Sequence, residues 1–114
     1  MATVGTGKHT YELVEDWGKL PQGWTLGQTG FVTDARDRVY LFNRSEHPLI
    51  VLDRDGVCFT SWGEGILSSA HGMFIDRQEN IYLPVINSHV VLKYSASGNL
   101  LRTMGTWNTP SETG

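Results

Sequence analysis

The sequence predicts an all-β fold, part of a β-propeller, and two observations carry that expectation: an ungapped internal repeat and the pattern of short strands and turns inside each copy. Gly30 to Gly63 superposes on Gly72 to Gly105 at a constant shift of 42 residues. The shift aligns Gly30 with Gly72, Asp34 with Asp76, Tyr40 with Tyr82, Leu41 with Leu83, His47 with His89, Gly56 with Gly98 and Gly63 with Gly105. Apolar character is kept between these anchors, with Val39 on Ile81, Ile50 on Leu92 and Phe59 on Leu101. A period near forty with short β segments is the signature of four-stranded propeller blades, not of helical arrays. The expected fold is therefore two four-stranded antiparallel blades preceded by one strand of an incomplete blade.

Taken in order, residues 1–9 are small and polar and are expected to be disordered or loosely attached. Residues 10–29 hold Thr10 to Trp17, which ends in Trp-Gly as Phe59 to Gly63 does, and so reads as the outer strand of the incomplete blade. Lys19 to Thr29 then forms a linking loop, longer than its counterpart Glu64 to His71. Loops at blade junctions commonly form a binding face. Residues 30–71 are the first blade, with strands expected over Phe31 to Thr33, Val39 to Asn43, Leu49 to Leu52 and Cys58 to Trp62. Residues 72–113 are the second, over Met73 to Ile75, Ile81 to Val85, Val90 to Tyr94 and Leu100 to Met104. Runs such as Val39-Tyr40-Leu41-Phe42 are apolar on both sides of the strand, as a sheet sandwiched between two neighbours requires.

Gly114 falls one period after Gly72, where a third copy would start. Two blades do not close a ring of roughly four to eight. The chain is expected to be a piece of a longer protein, or to complete the ring between chains as a homo-oligomer. Each terminal blade would show an apolar face, and no polar capping repeat is evident in the sequence.

Composition narrows the function classes. A net charge of -3 and a pI near 5.7 give no electrostatic reason to expect a nucleic-acid partner. No apolar run approaches the ~20 residues that span a bilayer, and the start does not resemble a signal peptide, so no membrane partner is expected and the default localisation is soluble and cytoplasmic. One cysteine, Cys58, forms no disulfide within the chain and sits in an apolar strand as a small hydrophobe. No window keeps a helical period.

Several motifs have mechanical explanations. Asp53-Arg54-Asp55-Gly56 and Ser95-Ala96-Ser97-Gly98 place glycine where a hairpin turn needs positive φ, and the extended ligand series of a calcium loop is missing. Gly5-Thr6-Gly7-Lys8 is too short for a phosphate loop. Asn43-Arg44-Ser45 matches the glycosylation triplet, a pattern that arises often by chance. Trp17, Trp62, Tyr40 and Tyr82 recur at related blade positions, which favours packing.

Four polar residues are the candidate site: Arg44, His71 and the matched pair His47 and His89. The pair is explained by a shared turn hydrogen bond, and stands as secondary polar contacts. His71 is set apart because the first copy has Thr29 in its place. An imidazole at a strand start near the ring axis suits a metal ligand, with other blades supplying one more each.

The strings Arg38-Val39-Tyr40-Leu41-Phe42-Asn43-Arg44-Ser45-Glu46-His47-Pro48, Ser61-Trp62-Gly63-Glu64-Gly65 and Ala70-His71-Gly72-Met73 resemble NHL-repeat propellers, closest to proteins related to peptidyl-α-hydroxyglycine α-amidating lyase. The resemblance covers roughly Tyr11 to Gly114. It implies a six-bladed propeller in which zinc, held by histidines around the central channel, serves cleavage of a carbinolamide to a peptide amide and glyoxylate. By resemblance His71 is a zinc ligand and Arg44 the active-site arginine, suited to hold a substrate carboxylate or polarise the reacting group. Ala70 stands where that family has proline, and Pro84-Val85 where it has Thr-Asp. The family's further histidines and catalytic tyrosine come from later blades, so the isolated chain is expected to be inactive. The alternative is a non-enzymatic NHL module that binds a protein, a peptide or a small molecule through its channel face.

Overall fold

The computed structural model describes residues 2–113, which form an all-β chain of antiparallel sheets with two, four and four strands. A hairpin comes first, β1 (Thr3–Thr6) with β2 (His9–Glu12). The first blade is a meander of β3 (Thr29–Thr33), β4 (Val39–Asn43), β5 (Leu49–Leu52) and β6 (Cys58–Trp62). The second blade repeats it through β7 (Phe74–Ile75), β8 (Ile81–Val85), β9 (Val90–Tyr94) and β10 (Leu100–Met104). A single 3-10 turn, Ile86–Ser88, is the one helical element among the described residues. No helix among them is long and apolar enough to cross a membrane. Gly114, the expected start of a third copy, lies outside the described residues, as does Met1.

Each blade is stitched by the same local chemistry. Asp34 Oδ1 accepts the N–H groups of Arg36 and Arg38 at 2.8 and 3.0 Å, and its Oδ2 accepts the Tyr40 hydroxyl at 2.9 Å. One period later Asp76 Oδ1 accepts from Gln78 and Asn80, both at 2.9 Å, and Oδ2 from Tyr82 at 3.0 Å. A buried carboxylate is tolerated because every lone pair it turns inward meets a donor. The outer turns agree with the glycine reading. Gly56 and Gly98 take φ of 81° and 91°, and their N–H groups donate to the carbonyls of Asp53 and Ser95. Asp53 Oδ1 accepts the N–H groups of Asp55 and Val57, which closes this loop as a turn. Both outer strands also bulge at repeat-equivalent positions, Phe59 and Leu101, where the ladder skips a residue. A bulge twists an edge strand away from straight pairing.

The core lies between the blades. Tyr40, Phe42, Leu49 and Val51 on one sheet meet Ile81, Leu83, Val85, Leu92 and Tyr94 on the other, all buried, with Trp62 and Tyr94 ring centroids 4.8 Å apart. Burying each large apolar side chain contributes about 1.5–3 kcal/mol, which is why this shared face orients the two sheets. At the inner edge β3 contacts β7, and a Cβ at Gly30 would lie 2.7 Å from the His71 carbonyl oxygen. Glycine there lets the innermost strands approach.

One expectation about the N-terminal part is corrected. Residues 3–12 form the fully exposed hairpin of β1 and β2, where Thr3, Val4, Thr10 and Tyr11 suit a strand ladder and Gly7, at φ 61°, lies in the turn. The strand expected over Thr10 to Trp17 stops at Glu12 and pairs with β1 instead of a blade, and Asp16 at φ 54° breaks extension before Trp17. The linking segment also closes on the outer edge of the first blade. The Lys19 N–H donates to the Gly56 carbonyl at 2.7 Å, and Gly18 lies against Leu52, so the linking segment covers Leu52, which is only 3% exposed. Trp17 packs on Gly56 as Trp62 packs on Gly98. The tryptophan takes the seat of an outer-strand residue although no strand carries it there.

Candidate functional site

Antiparallel alternation puts the β4–β5 and β8–β9 connections and the linker between blades at one end of the sheets, and all four candidate residues lie in these segments. Two of them are brought together. Arg44 follows β4, its N–H donates to the Gln28 carbonyl at 3.2 Å, and its Nε donates to the Ala70 carbonyl at 2.8 Å. That bond ties the Arg44 side chain to the backbone one residue before His71. Gly27 lies against the Arg44 carbonyl, where any Cβ would collide, so glycine there lets the linking loop approach the backbone after β4. Arg44 and His71 are both exposed, and the remaining guanidinium nitrogens have no protein partner among the described residues.

The matched histidines each take a turn hydrogen bond through the backbone N–H, His47 to Ser45 Oγ at 3.1 Å and His89 to the Ile86 carbonyl at 3.4 Å, but their rings do not behave alike. His47 stacks on Trp24 with ring centroids 3.5 Å apart and planes 11° apart, and its Nδ1 lies 3.1 Å from Glu64 Oε1. A carboxylate at Nδ1 orients the imidazole and directs Nε2 outward as the second functional nitrogen. Gly23, Trp24, Thr25, Ser45, Glu46 and His47 line a cavity of ≈ 290 Å³ there. His89 instead caps the 3-10 turn at φ 60°, exposed, with its N–H on the Ile86 carbonyl. One period after Trp24 and Glu64 stand Ile66 and Thr106, so neither the stacking partner nor the carboxylate recurs.

No known protein-family model matches this sequence, and no curated protein matches it either.

The site's donor set can be tested against zinc. Among the described residues no three His, Cys, Asp or Glu side chains converge where they could hold a metal ion. Catalytic zinc sites use about three protein ligands, so this chain's residues do not by themselves fit zinc, and His71 is a lone donor at the mouth. Burial pushes the Cys58 thiol up, away from the thiolate form that binds metal.

Trp24 and Glu64 are the residues that sequence reasoning missed. The signal available was the linking loop's extra length with its one tryptophan, and the glutamate directly after Trp62-Gly63. Asn43 of the glycosylation triplet proves structural: it is 1% exposed, with Nδ2 on the His47 and Pro48 carbonyls and Oδ1 taking the Gly27 N–H. At the opposite end a broad groove of ≈ 790 Å³ runs between the hairpin turns, past Arg36, Arg38, Phe59, Glu79 and Ser97. Its Arg38 is committed, with Nε 2.6 Å from Asp34 Oδ2 and the guanidinium 5.5 Å from the Phe59 ring centre.

Proposed function

We propose that this chain is a two-blade unit of an NHL-type propeller whose channel mouth, with Arg44 and His71, binds the carboxylate of a small molecule or peptide. The bond from Arg44 Nε to the Ala70 carbonyl carries the reading. It holds a guanidinium against the backbone one residue before the exposed His71, and a planar fork of N–H donors matches a carboxylate in two-point geometry. The net charge of -3 makes this an isolated cationic spot on an acidic chain, which favours recognition of one anionic group over a broad polyanion. The test follows the His71 imidazole resonances by NMR while the full chain is titrated with glyoxylate, with a peptide ending in a free carboxylate, and with the same peptide amidated. Acid-ended ligands are expected to shift His71 in the parent and not in Arg44→Ala. Equal response to acid and amide, or no response, overturns the reading.

The lyase reading is kept by one observation: Arg44, one of the pair that the amidating-lyase resemblance singles out, bonds to the backbone of the residue directly before the other, His71. It needs zinc donors beyond His71 from other blades, and bound zinc would act as a Lewis acid on the carbinolamide. Metal analysis of purified parent and His71→Ala discriminates. Stoichiometric zinc lost in the variant supports the lyase reading, and a parent without it sinks that reading for this chain.

A further inference from the structure

We propose that the outward face of the second blade is an interface for another copy of this chain, which packs head-to-tail and brings its acidic Glu12–Asp16 segment against Lys93 and Arg102. The inference rests on the propeller reading but not on what the channel mouth binds.

The face is built by the repeat. Phe74, Tyr82, Lys93 and Arg102 are successive cross-strand partners from β7 to β10, so their side chains share one side of the sheet, the side turned away from the first blade. Their repeat counterparts, Val32, Tyr40, Val51 and Thr60, stand on the first-blade face that packs the second blade. The second blade thus presents again the surface that already receives a blade inside the molecule. Phe74 is 63% exposed on it, with its ring 5.8 Å from that of Tyr82.

Charge then selects the occupant. Where the first blade carries Val51 and Thr60, the second sets Lys93 directly opposite Arg102. Like charges facing each other across a ladder are destabilising. Neither is in an ion pair among the described residues, although the charge of Lys93 is felt at Asp76, and Lys93 Nζ rests 5.5 Å from the Tyr82 ring centre. The complementary surface is on this same chain. Glu12, Leu13, Val14, Glu15 and Asp16 are all exposed, and none of the acids is in an ion pair among the described residues. This segment leads directly into Trp17, anchored at the outer turn of the first blade. The inner half of that blade's outward face offers Phe31, 68% exposed, beside Leu41. Aligning two copies head-to-tail therefore sets apolar inner half against Phe74 and Tyr82, and the acidic outer segment against the two cations. The contact uses different surfaces on the two copies, so it propagates until rotation closes a ring.

The experiment measures mass against concentration by light scattering for the full chain, at low and high salt, with folding checked by circular dichroism. The parent is expected to associate, and to do so less at high salt, since such exposed pairs are screened beyond about 10 Å at 0.1 M. Lys93→Glu with Arg102→Glu, or Glu12→Lys with Glu15→Lys, each weakens association about tenfold or more. Mixing the two folded variants restores it, because each then offers what the other lost. A parent that stays monomeric overturns the proposal and leaves the face to a different partner. So does association that ignores both charge reversals, or variants that fail to complement each other. The carboxylate titration at His71 is read independently, so failure here leaves that result standing.

Discussion

Replacing Tyr40 with phenylalanine takes one donor from Asp34 and leaves the ring in place. Tyr40 is 1% exposed and Asp34 8%, so no water replaces the lost 2.9 Å bond. Hydrogen bonds to a charged group are worth about 1.5–3 kcal/mol. Three donors remain on the carboxylate, from Arg38 Nε and the Arg36 and Arg38 N–H groups, which places the cost in the lower half of that range. At roughly 4–8 °C per kcal/mol for a domain near this size, the melting temperature should fall by about 6 °C or more. The repeat supplies the control. Tyr82→Phe removes the same bond from Asp76, but Tyr82 and Asp76 are only half-buried and water can substitute, so its effect should be smaller. Urea unfolding of both variants, with Asp34→Asn and the double variant, gives the coupling energy, expected at about 1 kcal/mol or more. Equal losses at Tyr40 and Tyr82, or a Tyr40→Phe loss below about 0.5 kcal/mol, would refute the burial argument.

Four further outcomes follow from the geometry. Burial raises the Asp34 carboxyl, but its bonds from the Arg38 side chain and backbone, the Arg36 N–H and the Tyr40 hydroxyl together outweigh that and hold it below the usual carboxylate value. The stabilisation is present above the unfolded carboxyl pKa near about 4 and is lost as pH falls through the folded value, so stability measured against pH should drop below about pH 4, and less so in Asp34→Asn. Tyr40 itself is pushed up to about 12, by burial first and then by Asp34, so no tyrosinate absorbance from it should appear before alkaline unfolding. Gly98→Ala sets a Cβ 2.9 Å from Trp62 Cγ at φ 91°, whereas Gly65→Ala at φ 76° meets nothing within 4 Å. Thermal melts should show the Gly98 variant losing more than the about 1 kcal/mol that backbone strain alone costs at Gly65. Leu83→Ala opens the shared core and should cost about 2–5 kcal/mol, with both blades unfolding in one transition by circular dichroism and tryptophan fluorescence.

Much of this protein can be read along the chain because its strands are bounded locally. The four strands of each blade are set by apolar runs between Asp- and Gly-containing turns, and a turn is decided within about four residues. Hence Gly56 and Gly98, or Asp34 and Asp76, could be paired by counting alone. The same local logic failed before Trp17, where β propensity was right for β2 but its partner was a neighbour in sequence, not a blade. A strand's partner depends on which surface is within reach, and that is a property of the assembled chain.

The candidate site divides along the same line. Arg44 and His71 stand out in the sequence as residues where the two copies differ or a motif recurs. What links them is a bond from Arg44 to the Ala70 backbone across 26 residues, which no spacing reveals. His47 and His89 look equivalent in the repeat, yet only His47 gains Trp24 and Glu64, because the loops that deliver those side chains differ in the two copies. Repetition in sequence determines the backbone of a blade, since ladders and turns form between near neighbours. The loops that pack on that backbone decide which polar side chains meet, because stacking and hydrogen bonding act over a few ångströms between segments far apart in the chain.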